Sequence, residues 1–239
     1  LEICGFDQVF KKVGMEPTGD PFNSLMKLEN TDSSPYNPMI NAGAIVVASC
    51  LASEISFDTM LDTIRALCMD PDINLDKKVY HSEMSHISRN RAIAYLLESK
   101  GYIEKNKDVE NSLHFYVKMC SLSVTAESLA GLGLILANDG IHPDTGKRLL
   151  SSQAVKIVKT LMFTCGMYDG SGEFAVRVGI PSKSGVGGGI LSVVDGEMGI
   201  GIFGPALDKK GNSVAGECVL EYMSHELHLH MFDPQRHTL

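Results

Sequence analysis

The chain has 239 residues, enough to bury one substantial core or two small ones, and it reads as a single domain over residues 1–239. Its 21 basic and 29 acidic side chains leave a formal charge of −8, with no basic run and no interleaving of Lys or Arg with aromatics. Nucleic acid and anionic membrane surfaces therefore gain no electrostatic attraction and are excluded as partners.

The chain opens on an amphipathic stretch, Leu1 to Val13, with no initiating Met and no capping residue ahead of its first apolar position, so it is expected to begin inside a helix. From Glu16 to Pro38, Pro, Gly, Asn, Asp and Ser accumulate into a long irregular connection. Helical periodicity then runs for more than a hundred residues. Asn41 to Ala52 suits a buried helix of small apolar residues, and Phe57 to Cys68 is amphipathic; Lys77 to His86, Arg89 to Ser99, Val109 to Ser121 and Ala126 to Asn138 follow, with Gly140 as a C-terminal stop. The apolar runs at 40–52 and 129–137 are shorter than the roughly 20 residues that cross a bilayer, so no membrane span is expected.

Ser151 is an N-cap candidate for a helix from Ser152 to Thr164. The texture then changes to short β-branched or alternating runs, Phe174 to Val178, Gly189 to Val194 and Met198 to Phe203, the last two joined at Asp195-Gly196, a hairpin signal. A final helix, Val214 to His230, follows the turn at 208–212. Helices, a hairpin and a terminal helix give an α+β class in which a helical cluster packs on an antiparallel sheet. Six cysteines without C-x-x-C pairing, mostly in apolar periodic stretches, fit a reducing, cytoplasmic setting.

Two segments carry acyl-transfer chemistry. Tyr168 offers a hydroxyl that can pass a proton, and fifteen residues later Lys183, Ser184 and Gly185 lead into Val186 and three glycines, a strip whose backbone N–H groups can approach an oxyanion. A second constellation suits a free amino acid. Glu83 and Asn90 lie seven residues apart, sharing a face if one helix runs through His86 to Ser88. Asn41 opens a helix, and Tyr116 adds a phenol. One carboxylate for an ammonium, with amides, a hydroxyl and a helix start for a carboxylate, makes a clamp. Each residue also has a purely structural reading: Glu83 as a solvated helix carboxylate, Asn41 as a cap, Tyr116 as a core aromatic, Tyr168 as packing beside a turn and Lys183 as a surface lysine.

Three further patterns carry less. Ser24 and Lys27 match the Ser-x-x-Lys spacing of a serine acyl hydrolase, yet they sit between Pro21 and a loop-forming stretch where a helix would be very short. Gly140 to Arg148 lacks the spacing and the Ser or Thr of a phosphate-binding loop. His225, His228 and His230 have no Cys or acidic pattern that would make them a metal site, and an exposed helix end accounts for them.

Five ordered motifs resemble the serine-dependent glutaminases. They are the runs 16–23 (EPTGDPFN), 37–47 (NPMINAGAIVV), Ser82-Glu83 with Arg89-Asn90, 165–169 (CGMYD) and 181–189 (PSKSGVGGG), spread over nearly the whole chain. The resemblance implies a β-lactamase and penicillin-binding-protein-like fold, and hydrolysis of L-glutamine to L-glutamate and ammonia through a glutamyl-serine ester, without metal or organic cofactor. It implies substrate contacts from Asn41, Glu83, Asn90 and Tyr116, a place for Tyr168 beside the scissile amide, and the Val186 N–H as half of the oxyanion hole. It also implies a homodimer or homotetramer. The family's nucleophile lies in a Ser-x-x-Lys upstream of the run at 16–19, so the expectation is a catalytic domain lacking its N-terminal segment, with the serine, its lysine and some strands outside this sequence. Ser24 lies downstream of that run and does not match the nucleophile's place. His86 to Ser88, where many relatives carry Thr, Gly or Asp, is a lesser departure. The alternatives are a β-lactamase-like hydrolase using Ser24, Lys27 and Lys183, and a non-catalytic amino-acid-binding fragment.

Overall fold

A computed structural model describes residues 1–24, 34–105 and 108–236. The described residues fall into two units, Leu1–Arg65 with Pro71–Ser123, and Ala66–Asp70 with Val124–Leu239.

The first unit is helical. A short α1 (Phe6–Phe10) is followed by irregular chain and then by α2 (Asn41–Ala52) and α3 (Phe57–Cys68), whose last residues group with the second unit. Next come β1 (Asn74–Leu75), α4 (Lys77–Ser85), α5 (Ser88–Ser99), α6 (Val109–Cys120) and β2 (Leu122–Ser123). Helix α2 is buried on most of its circumference, from Ala42 and Gly43 to Cys50, and its small residues let α5 and α6 pack closely on it. Ile45, Ile93, Leu97, Ile103 and Leu113 are completely enclosed there. Burying a side chain of that size contributes about 1.5–3 kcal/mol. A Cβ on Gly43 would overlap the carbonyl oxygen of Asn37, so only glycine allows the chain before α2 to lie against its first turn.

The second unit contains α7 (Ala126–Ala137), α8 (Ser152–Cys165), a 3-10 turn (Tyr168–Gly170), α9 (Ser171–Arg177), the antiparallel sheet β3 (Ser182–Ser184), β4 (Gly189–Val194) and β5 (Met198–Phe203), and α10 (Val214–Glu226). The order β3-β4-β5 puts β4 in the centre, with Lys183 opposite Leu191 and Leu191 opposite Gly201. One face of the sheet meets α7. A Cβ on Gly199 would overlap the Ala130 carbonyl oxygen, and one on Gly201 that of Ala126. Ile190, Val194 and Ile200 pack with Met167, Phe174, Val178 and Leu220 in a separate cluster.

The fold is α+β, with helices and an antiparallel sheet as the sequence indicates. Helix boundaries agree closely where a cap fixes them: Asp76, Asp108, Thr125, Ser151 and Ser213 each accept backbone N–H bonds at their helix starts.

Three local expectations are corrected. Only Phe6–Phe10 of the first thirteen residues is helical. The stretch 174–178 is helix rather than strand: Ser171, Phe174 and Val178 are buried at helical spacing while Val176 is 79% exposed, a pattern that strand alternation forbids. Glu173 and Arg177 add an i,i+4 ion pair to it. The strand beside β4 is Ser182–Ser184 instead. The last helix stops at Glu226, where His228 at φ 54° turns the chain back so that the Met231 N–H reaches the Gly179 carbonyl. Among the described residues no single helix is long and apolar enough to cross a membrane.

Because α7 rests on bare backbone at β5, Gly201→Ala is expected to cost about 2 kcal/mol or more, as overpacking does. A urea midpoint equal to that of the parent would show that the helix can move away at no cost.

Candidate functional site

In the first unit the structure brings Asn41 and Asn90 into contact. Asn41 is the first residue of α2; its backbone N–H donates to the Phe22 carbonyl at 3.1 Å and its side-chain Nδ2 donates to Asn90 Oδ1 at 2.9 Å. Asn37, almost completely buried, fixes the approach: its amide donates to the Glu16 carbonyl at 2.7 Å and its Oδ1 accepts the Met39 N–H at 2.9 Å. Two of the five sequence motifs are thereby tied together by one asparagine. Asn41 is not a cap, since Ile40 holds that position without a side-chain bond.

Tyr116, on α6, is half-buried and packs on the first unit's core beside Tyr80 and Met84 of α4. Glu83, on α4, is exposed, and its carboxylate makes no hydrogen bond or ion pair among the described residues. The condition for it to share a helix face with Asn90 is not met, as the two separate helical stretches in the sequence indicate: α4 ends at Ser85, His86 leaves helical geometry at φ −114° and ψ 16°, and α5 starts anew at Ser88. Next to Asn90, the Arg91 guanidinium forks onto both oxygens of Glu110 at 2.8 and 3.0 Å, locking α5 to α6 and holding the Glu110 carboxyl below its ordinary value. That pair is partly exposed, so its contribution to stability is modest.

In the second unit Tyr168, Lys183 and Ser184 converge. Tyr168 sits at φ 55°, a left-handed conformation unusual for an aromatic residue. The Ser171 hydroxyl fixes it by donating to the Tyr168 carbonyl at 2.8 Å while accepting the Met167 N–H at 3.0 Å. The Tyr168 hydroxyl donates to the Ser184 carbonyl at 3.1 Å, the same oxygen to which the Lys183 ammonium donates. That ammonium also lies over the Tyr168 ring, 4.4 Å from its centroid. Ser184 is buried, and its own Oγ has no partner among the described residues.

Beyond it, Gly185 donates to the Gly189 carbonyl and Gly188 to that of Gly185, closing a tight turn with Val186 near its tip. Val186 is 54% exposed, and its N–H has no backbone acceptor among the described residues. A donor held out by a turn in this way suits a developing oxyanion.

The glycine loop and the histidines have plain structural roles, whereas the Ser-x-x-Lys match falls mostly outside the described residues. The Ser24 N–H donates to the Pro21 carbonyl, and Lys27 lies outside the described residues. Arg148 staples its loop by donating to the Asp139 carbonyl at 2.7 Å. His225 and His228 pair with Glu226 and Asp233 respectively, and among the described residues no three His, Cys, Asp or Glu side chains are grouped to hold a metal. Burial and Asp70 push the Cys68 thiol up to about 11, which keeps it protonated and unreactive near neutrality. A cleft of about 260 Å3 is lined by Glu173, Arg177, Asp208, Lys210, Glu217 and Glu221, with Gly170 and two apolar side chains. None of the sequence-predicted residues lines it. Lys210 holds Glu173 low, and burial followed by Asp208 raises Glu217.

A sequence model of the glutaminase family matches residues 1–232. The chain belongs to the glutaminase family. A glutaminase of Fusobacterium nucleatum is 53% identical over 232 residues, 95% of this chain and 75% of that protein. One of Clostridioides difficile is 53% identical over 231 residues, 95% and 74% respectively. Among solved structures, a probable glutaminase of Bacillus subtilis superposes with a TM-score of 0.90 at 40% identity, over 95% of this chain and 77% of that one. A Bacillus subtilis glutaminase covalently bound to 5-oxo-L-norleucine, formed from 6-diazo-5-oxo-L-norleucine, superposes with a TM-score of 0.83 at 37% identity, over 95% and 75%.

Within this glutaminase-family chain, the Asn41–Asn90 contact is the most direct geometric statement. Asn90→Leu strands the Asn41 amide, and unfolding should show a loss of about 1–2 kcal/mol. Asn90→Asp keeps an acceptor and should lose less; equal losses in the two variants would mean that the hydrogen bond is not what stabilises the pair.

Proposed function

We propose that the chain carries the substrate-handling machinery for hydrolysis of L-glutamine to L-glutamate and ammonia through a glutamyl-serine ester. The observation that carries this reading is the convergence of the Tyr168 hydroxyl and the Lys183 ammonium on the Ser184 carbonyl, beside a turn that leaves the Val186 N–H without a backbone acceptor. The family relationship, and a related enzyme that forms a covalent adduct with a glutamine-like diazoketone, support the same chemistry.

A serine hydroxyl attacks the side-chain carbonyl, its proton passing to a base; the C–N bond then breaks as the departing nitrogen gains a proton, and ammonia leaves. Water repeats the attack on the ester, which releases glutamate and restores the serine. We assign the nucleophile's part to none of residues 1–239. Val186 donates its N–H to the tetrahedral oxyanion, and Tyr168 carries the proton traffic at the departing nitrogen. Lys183 holds its ammonium over the Tyr168 ring and shares the Ser184 carbonyl with that hydroxyl as acceptor, which fixes the hydroxyl's position.

In the first unit the family resemblance assigns the α-ammonium to Glu83 and the α-carboxylate to Asn41, Asn90 and Tyr116. Asn41 and Asn90 can serve jointly because one amide is already oriented by the other. Homo-oligomerisation as a dimer or tetramer and a cytoplasmic location belong to the same proposal and rest on the family resemblance and the cysteine pattern.

Ammonia release from L-glutamine by a protein that joins this chain to the family's upstream Ser-x-x-Lys segment tests the reaction. Tyr168→Phe is expected to lower kcat by about 100-fold or more, the scale of general acid–base catalysis, with KM within about twofold. An unchanged kcat would remove Tyr168 from proton transfer. Calorimetric binding of L-glutamine with no ammonia released would leave only an amino-acid-binding module.

A further inference from the structure

Glu83 is carried by a helix with little to hold it. No residue of α4 is buried, and Val79 is 42% exposed. Its N-terminal end is anchored: Asp76 caps the Lys78 and Val79 N–H groups at 2.8 and 3.0 Å, the Asp76 N–H donates to the Ser121 carbonyl at 2.9 Å, and β1 pairs with β2 immediately before. The C-terminal end is finished by local contacts, the Ser85 hydroxyl reaching the Ser82 carbonyl at 2.7 Å with the His86 ring beside both. Neither device fixes the distance of Glu83 from the neighbouring helix.

What reaches across is Tyr80. Its hydroxyl is 2.6 Å from Nδ1 of His114 on α6, and the two rings lie 6.2 Å apart, tilted by 39°. Tyr80 precedes Glu83 by three residues, so the two are neighbours on one face of α4. His114 precedes Tyr116 by two residues on α6, and Tyr80, Met84 and Tyr116 all pack against the same core. The bond thus joins the helix that carries Glu83 to the helix that carries Tyr116, as Arg91 and Glu110 join α5 to α6. Asn41 and Asn90 are linked directly; Glu83 and Tyr116 are linked through their helices.

We propose that Tyr80 and His114 are positioning residues for substrate affinity, holding Glu83 at its working distance from Tyr116 by the hydrogen bond between them. The inference rests on the reading of Glu83 as the ammonium partner. A placement role touches no reacting atom, so it changes how tightly the amino acid is held and leaves the chemical step alone. Loss of folded protein does the opposite, lowering apparent kcat at constant KM.

The test is steady-state ammonia release from L-glutamine by a protein that joins this chain to the family's upstream Ser-x-x-Lys segment, taken as the parent, and by five variants of it. Tyr80→Phe, which deletes one oxygen, should raise KM about three- to tenfold, the range one hydrogen bond commands, with kcat within about twofold. His114→Leu should match it, and the double variant should be no worse than either single one, because both remove the same bond. His114→Asn, which places an acceptor near the position of Nδ1, should recover most of the parent KM. Glu83→Gln separates the positioning role from the role of Glu83 itself. A raised KM in Glu83→Gln with a parental KM in Tyr80→Phe overturns the positioning role alone; a parental KM in Glu83→Gln removes the reading of Glu83 and this inference with it. Additive effects in the double variant would also overturn it, since the two residues would then act separately.

Discussion

Backbone lies against backbone at several places among the described residues, and the candidate residues stand next to two of them. Asn37 reaches the first turn of α2 only because Gly43 has no Cβ, and two residues before that glycine stands Asn41. The end of α8 reaches β3 only because Gly166 has none; a Cβ there would overlap the Ser182 carbonyl oxygen, and the Ser184 N–H bonds to the Gly166 carbonyl at 3.0 Å. Tyr168 follows two residues later. Interiors are packed too tightly to absorb an added methyl group at such points without moving a helix or a strand. The glycines therefore set distances that the side chains next to them inherit.

Around those contacts, polar bonds select orientation. Tyr168 is held in a left-handed conformation that costs energy, and it persists because Ser171 bonds on both sides of it while the buried Asn212 side chain donates to the Met167 carbonyl at 3.3 Å. The exposed ion pairs are less decisive. Arg177 joins Glu221 across to α10 and Lys210 joins Glu173, but these side chains are largely solvated, and water and salt screen most of their attraction.

Sequence was a good guide where one residue governs a local outcome. Ser151 caps its helix as its chemistry requires, and Gly196 at φ 76° closes the β4–β5 hairpin. It failed where the deciding partner is remote. Residues 174–178 have the β-branched content of a strand, and only the surroundings, which bury Phe174 and Val178 and leave Val176 in solvent, make them a helix. The two-residue strands β1 and β2 are too short to show alternation. The residues proposed for acyl transfer and for the clamp were chosen from the sequence by type and motif. Their pairings were not: Asn41 meets Asn90 across 49 positions and Tyr80 meets His114 across 34, separations over which periodicity carries no signal.

The exposed side chain of Val186 has a consequence for how such proteins diverge. On the proposed reading its work is done by a main-chain amide, a group common to every amino acid except proline, while the valine methyl groups project mostly into water. Selection at this position then acts on the shape of the glycine-bordered turn rather than on the residue's identity. Substitutions there are expected to accumulate freely among homologues, so a ranking of positions by invariance would undervalue the one that holds the developing negative charge.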